Sequence, residues 1–249
     1  VYAPWLYIYC LVAEKFKIGW IPDNYYELIV LPRMKGRYGE ASDLNVFQSI
    51  VFEEGFPDIV YAVNGLFLTP RLETVELEQL EHILFARSDR LVFKADGSKQ
   101  GKGVRIIRRS EFSNLDVKSF PNGVFQSFIE QHPSLKEFHP GSVATLRMTT
   151  VADCKGKVSL RACYLRIGTG RDTHVKSASH IRVPVDMSEG FLSEVGYTVD
   201  WHPIDAHPFS GKKFDGASIP CFEAAREMVL RRHGRVPFVR CVGWDVTIA

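Results

Sequence analysis

The sequence predicts an α+β fold in which antiparallel hairpins alternate with helices, and three segments predict it. Ile59–Val63 meets the tight-turn pair Asn64-Gly65 and resumes at Leu66–Leu68, the pattern of a β-hairpin. Leu91–Lys94 runs into a loop rich in glycine and lysine and returns as Val104–Ile107. Thr145–Val151 and Ser159–Ile167 alternate as strands across the turn-rich Asp153–Lys157, consistent with an antiparallel pair.

Composition bounds the function. The 249 residues, 45% hydrophobic and 24% charged, suffice for one large core or two small ones and argue against disorder. A net charge of +2, with acids and bases interspersed, lacks the basic stripe of a nucleic-acid binder. The Lys/Arg-rich stretch Lys94–Arg109 has no aromatic-stacking motif beside it. The five cysteines are an odd number with no Cys-x-x-Cys, which points away from a disulfide framework or a zinc ribbon and toward a reduced, cytoplasmic compartment. Ala3–Ala13 is apolar but stops at Glu14 and Lys15, short of the roughly 20 residues that cross a bilayer. It is expected to be a core helix rich in aromatics or a docking face. The chain begins at Val1 rather than Met and carries no signal peptide, so a fragment or a processed product is expected.

Between the hairpins, Thr69-Pro70 places a candidate N-cap before a proline suited to a first helical turn. Leu72, Val75, Leu80, Ile83 and Leu84 recur at helical spacing, predicting a helix that ends near Arg87. Farther on, Phe222, Ala225 and Val229 form one face of a helix that starts near Pro220 and ends before Gly234. Val242–Ala249, apolar or small except for Asp245 and Thr247, reads as a strand.

The chemistry is most legible in Lys94-Ala95-Asp96-Gly97-Ser98-Lys99-Gln100-Gly101-Lys102-Gly103. Glycines permit a backbone whose N–H groups turn one way and cradle phosphate oxygens, and Lys94, Lys99 and Lys102 supply positive charge. A Walker A loop requires four residues between its glycines and then a helix; here three separate Gly97 from Gly101, and a strand follows. A Rossmann fingerprint also needs a following helix, and a kinase loop carries its lysine on a later strand. Taken alone, the segment is either a polyphosphate cradle or a solvated hairpin tip.

A strand ending in lysine and entering such a loop resembles the ATP-grasp superfamily, and more narrowly its sugar-transfer-associated family from polysaccharide biosynthesis. The order of further matches carries the resemblance: Val124–Pro133, Ser142–Arg147, Leu165–Gly168, His207-Pro208-Phe209-Ser210-Gly211 and Gly243-Trp244-Asp245-Val246. It implies an ATP-grasp fold, with two α+β subdomains whose antiparallel sheets clamp ATP. Residues 1–70 would form a helical and short-strand region, 71–130 the subdomain with the glycine-rich loop, and 131–249 the second subdomain.

The resemblance also implies roles. Lys94, Gly97, Ser98, Lys99, Gly101, Lys102 and Gly103 would hold the phosphates, and Gln126, Ser127, Phe128 and Ile129 would hold adenine along a strand and hinge. Arg147 and Arg166 would be catalytic, since arginine's planar fork grips phosphate or carboxylate in bidentate fashion; otherwise they are surface arginines on half-exposed strands. Asp245 would hold Mg²⁺ against the β- and γ-phosphates, or else bond to local backbone. His207 and Ser210 would lie near substrate, or else form a turn before the last helix. The family's second acid and its neighbouring Asn would fall beyond Ala249, and the segment Val175–Arg182 departs from the family's polar, glycine-rich pattern. Three functions follow as expectations: an ATP- and Mg²⁺-dependent ligase activating a carboxylate of a small-molecule or glycan precursor, a catalytically degenerate scaffold, or a kinase-like phosphotransferase.

Overall fold

The computed structural model describes residues 3–41, 43–52, 55–97, 103–169 and 179–249. Alternation of apolar and polar residues drives two antiparallel sheets, each with one face turned to a core and one to a shared cleft.

The chain opens with helix α1 (Ala3–Ala13), α2 (Asp23–Tyr25), a π-helical turn (Tyr26–Val30), α3 (Leu31–Ala41) and α4 (Asn45–Phe52). Helix α3 is broken at Gly36, whose φ of +54° suits glycine. The expectation of a core position for α1 is corrected: Tyr7 is 75% and Leu11 69% exposed. Its aromatics instead gather locally, with Tyr9 against Trp5 and Trp20 and the Tyr9 hydroxyl donating to Asp23 Oδ1 at 3.0 Å.

Strands β1 (Asp58–Val63), β2 (Leu66–Leu68), β3 (Arg90–Ala95), β4 (Val104–Arg108) and β5 (Gly123–Ser127) form the first sheet in the order β2-β1-β5-β3-β4. The hairpin before residue 70 thus shares a sheet with the strands that flank the glycine-rich loop. Leu91, Phe93, Ile107 and Phe125 face its core, where the Phe93 and Phe125 rings lie 4.8 Å apart. Helix α5 (Leu77–Leu84) covers that face with Leu80 and Leu84. It starts later than the sequence predicts. Thr69 does not cap a helix: its hydroxyl accepts from the N–H groups of Arg71 and Glu73, and strand pairing continues through Leu68 and Thr74. Such local side-chain bonds compete with helix nucleation.

After the short helices α6 (Arg109–Phe112) and α7 (Pro133–Lys136), strands β6 (Thr145–Ala152), β7 (Val158–Gly168), β8 (His180–Pro184), β9 (Gly196–Tyr197), β10 (Pro203–Ile204) and β11 (Cys241–Val246) build the second sheet in the order β10-β9-β8-β7-β6-β11. Along β6 the alternation is strict: Leu146, Met148 and Thr150 are buried, while Thr145, Arg147 and Thr149 face outward. Helix α8 (Phe222–His233) closes the core with Phe222, Ala225 and Val229. A polar knot lies inside it, where Thr150 Oγ1 accepts from Trp244 Nε1 at 2.8 Å and meets His233 Nδ1 at 2.6 Å. All five cysteines are free thiols. No helix among the described residues is long and apolar enough to cross a membrane.

Helix α4 ties the two sheets together. Its Phe52 packs on Trp244 of the second core at 4.9 Å, Ser49 meets Tyr61 of β1, and Asn45 donates to Asp96 beside the glycine-rich loop through its backbone at 3.0 Å and its side chain at 2.6 Å.

Candidate active site

Between the sheets lies a cleft of about 1080 Å³, lined from both sides. The N-terminal wall is Val92 and Lys94 of β3, Val104 and Ile106 of β4, and Gln126 of β5. These are the residues that alternation sends away from the Phe93–Phe125 core. Lys94 projects into the cleft, where the protein atoms around it push its pKa below the ordinary lysine value; Asp58 and Asp245 partly offset this. Asp58 accepts from Gln126 Nε2 at 2.6 Å and from the Tyr61 hydroxyl at 2.7 Å. Burial raises its pKa, against the lowering effect of those bonds and of Lys94.

At Ser127 the chain leaves the sheet and runs through Phe128 and Ile129 along the cleft wall without regular structure. The Phe128 ring is held from one side by the Arg90 guanidinium, 3.8 Å from its centroid. Gly97, at φ +65°, also lines the cleft. Gly103 lies across the β3–β4 hairpin from Ala95, its carbonyl accepting from Ala95 N at 3.1 Å. Ser98, Lys99, Gly101 and Lys102 lie outside the described residues.

The C-terminal wall is charged. Asp245 on β11 pairs directly across from Arg147 on β6, and its Oδ1 lies 3.1 Å from Arg147 Nη1 and 3.6 Å from Arg166 Nη1. Arg147 leans along the sheet over Gly243, where an added Cβ would come within 2.4 Å of its Nη2. Among the described residues, both arginine contacts of Asp245 fall on Oδ1. No cluster of three metal-ligating side chains occurs among the described residues. Cys163 also borders the cleft, but burial pushes its thiol up to about 12, so it is no nucleophile at neutral pH.

His207 and Ser210 do not reach the cleft. His207 is fully buried, with Nε2 donating to the Gly168 carbonyl at 2.9 Å and Nδ1 accepting from Phe209 N at 3.3 Å. Burial lowers its pKa. Ser210 is solvent-exposed and accepts from Lys212 N. The His207 ring packs on His139, and His139 Nδ1 receives Ser142 N at 3.0 Å. Gln131 holds the same turn by accepting from Ala144 N and donating to the carbonyls of His139 and Ser142. This buried network sets where β6, and hence Arg147, begins.

The profile of proteins described as sugar-transfer associated ATP-grasp matches residues 42–249. The chain belongs to the sugar-transfer associated ATP-grasp family. No curated protein matches it significantly. Among solved structures, this ATP-grasp chain is similar to the biotin carboxylase domain of Hydrogenobacter thermophilus 2-oxoglutarate carboxylase, a dimer in complex with MgADP, ADP and bicarbonate. There the TM-score is 0.48 at 13% identity, covering 96% of this chain and 47% of that one. It is also similar to an ADP complex of PurK, N5-carboxyaminoimidazole ribonucleotide synthetase, at TM-score 0.46 and 10% identity, covering 85% and 43%. The chain spans less than half the length of either.

Tyr164, Arg182, Tyr197 and Trp201 are among the cleft residues that the sequence reading of the site did not name. For Arg182 a signal existed. In His180-Ile181-Arg182-Val183, the alternation that buries Ile181 and Val183 sends Arg182 to the cleft. Trp201 sits in a short loop with no periodicity to reveal it.

Proposed function

We propose that this ATP-grasp chain is an ATP- and Mg²⁺-dependent ligase-type enzyme that activates a carboxylate by phosphorylation for attack by an amine or another nucleophile. The family's association with sugar transfer favours a glycan precursor as its substrate. One observation carries the reading: facing sheets bring Lys94 and Gly97 on one side, and Arg147, Arg166 and Asp245 on the other, to a single cleft.

In this reading the apolar wall of Val92, Val104 and Ile106 takes the adenine, with the extended backbone at Phe128–Ile129 reading its edge. Lys94 and the glycine-rich loop, including Ser98, Lys99, Gly101 and Lys102, hold the phosphates. A Mg²⁺ on Asp245 would neutralise phosphate charge, since hard carboxylate oxygens suit that ion and it commonly takes only one or two of them. Arg147 and Arg166 orient the γ-phosphoryl group and the incoming carboxylate and stabilise the charge that spreads over the phosphoryl oxygens. A carboxylate oxygen forms the new P–O bond as the bond to the ADP oxygen breaks, and ADP leaves with the electron pair. The nucleophile then attacks the acyl carbon and phosphate departs. His207 and Ser210 take no part; His207 supports the frame behind β6.

The test is isotopic. The protein is incubated with ATP, Mg²⁺ and a panel of ¹⁸O-carboxylates with amines, and phosphate is analysed by mass spectrometry. Carboxylate ¹⁸O in phosphate is the expected result. Label that remains wholly in the acid while a hydroxyl becomes phosphorylated would instead establish a kinase-like transfer. Nucleotide binding with no turnover on any acid would favour the scaffold function.

A further inference from the structure

Arg166 and Arg182 stand directly opposite each other on β7 and β8, and both line the cleft. Like charges directly opposite on neighbouring strands are unfavourable, so the pairing calls for an anion between them. The register continues on both sides: Thr145 faces Arg166, and Tyr197 of β9 faces Arg182. Arg166 is partly neutralised by Asp245 at 3.6 Å. Among the described residues no carboxylate pairs with Arg182. Its Nε donates to His180 Nε2 at 3.0 Å and its guanidinium lies 5.1 Å from the Trp201 ring, which fixes the plane of the fork and leaves its terminal nitrogens to the cleft.

The Trp201 backbone is unusual. Its φ of +63° is a conformation that bulky side chains adopt only at a cost, and such outliers gather at ligand sites. The tight loop maintains it: Trp201 N donates to the Thr198 carbonyl at 3.1 Å, and Thr198 N donates to the His202 carbonyl at 3.1 Å. The result places the indole, 40% exposed, beside Tyr197, their rings 6.1 Å apart. An apolar, planar wall therefore adjoins the arginine pair at the β8–β9 end of the sheet, away from Asp245.

We infer that this corner is the acceptor subsite and that it takes a ring-bearing carboxylic acid, its carboxylate between Arg166 and Arg182 and its ring against Trp201 and Tyr197. The inference rests on the ligase reading and adds the substrate's class to it. It also explains the placement of Arg166, which reaches Asp245 on one side and the carboxylate on the other. Aromatic acids and uronic acids share this chemistry, since each joins a carboxylate to a ring with an apolar face, the planar π face of the one and the C–H-rich face of the other's chair.

The experiment titrates the chain with benzoate and with glucuronate and follows the indole N–H resonance of Trp201, assigned with Trp201→Phe. Acetate and glucose serve as controls lacking the ring and the charge. The expected result is saturable movement with benzoate or glucuronate, the responsive acid identifying the source, and little with either control. Arg182→Gln is expected to weaken that acid at least about tenfold, the scale of a lost charge-assisted hydrogen bond, while leaving ADP affinity unchanged. Trp201→Gly suits the positive φ, and with it the Tyr197 amide should report the ring-bearing acid binding no tighter than acetate. A Trp201 signal unmoved by both acids, or equal acid binding in Arg182→Gln, would overturn the inference while ADP binding upheld the nucleotide site. Acid binding without ADP binding would fail the nucleotide reading alone.

Discussion

The two sheets across the cleft are built by the same alternation and present unlike surfaces. The N-terminal sheet turns Val92, Val104, Ile106 and Gln126 inward with Lys94 among them, whereas the C-terminal sheet turns Arg147, Arg166, Arg182 and Asp245 inward. Each sheet packs its other face on an apolar cluster, so the difference between the walls lies in the residues that alternation frees from that packing. An apolar wall with a single described cation suits a nucleotide base and one phosphate contact. A wall of arginines around one carboxylate suits a group whose charge changes during reaction. On this account the first wall sets affinity and the second sets rate.

The largest expected effect tests that division. Arg166→Ala is expected to lower acid-dependent ADP formation by about 10²–10³-fold, the scale of losing a transition-state donor, while changing nucleotide affinity by less than about tenfold; steady-state kinetics beside equilibrium titration would read both. Lys94→Ala should do the reverse, weakening ATP by roughly 10–100-fold, as expected for a charge-assisted hydrogen bond to phosphate. Because Lys94 has a lowered pKa, its ammonium is lost at a lower pH than an ordinary lysine's as pH rises. ATP affinity should therefore weaken on the alkaline side in the native chain, and that loss should vanish in Lys94→Arg.

Two smaller effects concern the cores. Thr150→Val leaves Trp244 Nε1 and His233 Nδ1 without their shared buried partner, and about 1–3 kcal/mol of unfolding free energy should be lost, with ATP affinity unchanged. The smallest effect is a pH slope. His207 and His233 have pKa values lowered by burial, so the unfolded chain binds more protons than the folded one below the ordinary value of 6.5. Stability should fall as pH drops through that value toward the lower folded pKa values. His207→Gln can keep the donor to Gly168 without titrating, and urea unfolding between neutral and mildly acidic pH should show a shallower slope.

Alternation made β3, β6 and the second half of β7 legible, and with them Lys94, Arg147 and Arg166, because a period of two fixes which side chains share a face. Local chemistry misled where a second use existed. Thr69-Pro70 has the composition of a helix start, yet the Thr69 hydroxyl is consumed by a turn. The apolar α1 has the composition of a core helix, but it leaves Tyr7 and Leu11 exposed. The role of His207 was not readable because nothing local announces that its partner is Gly168, distant in sequence. Arg182 and Trp201 become a pair only through β8–β9 register, which no single-segment pattern contains.

The most direct measurement is calorimetric titration of ATP, with and without Mg²⁺, into the native chain, Lys94→Ala and Asp245→Asn. The account predicts saturable binding that weakens in Lys94→Ala and loses its Mg²⁺ dependence in Asp245→Asn. Equal, equally Mg²⁺-dependent binding by all three would place the nucleotide outside this cleft and contradict the account.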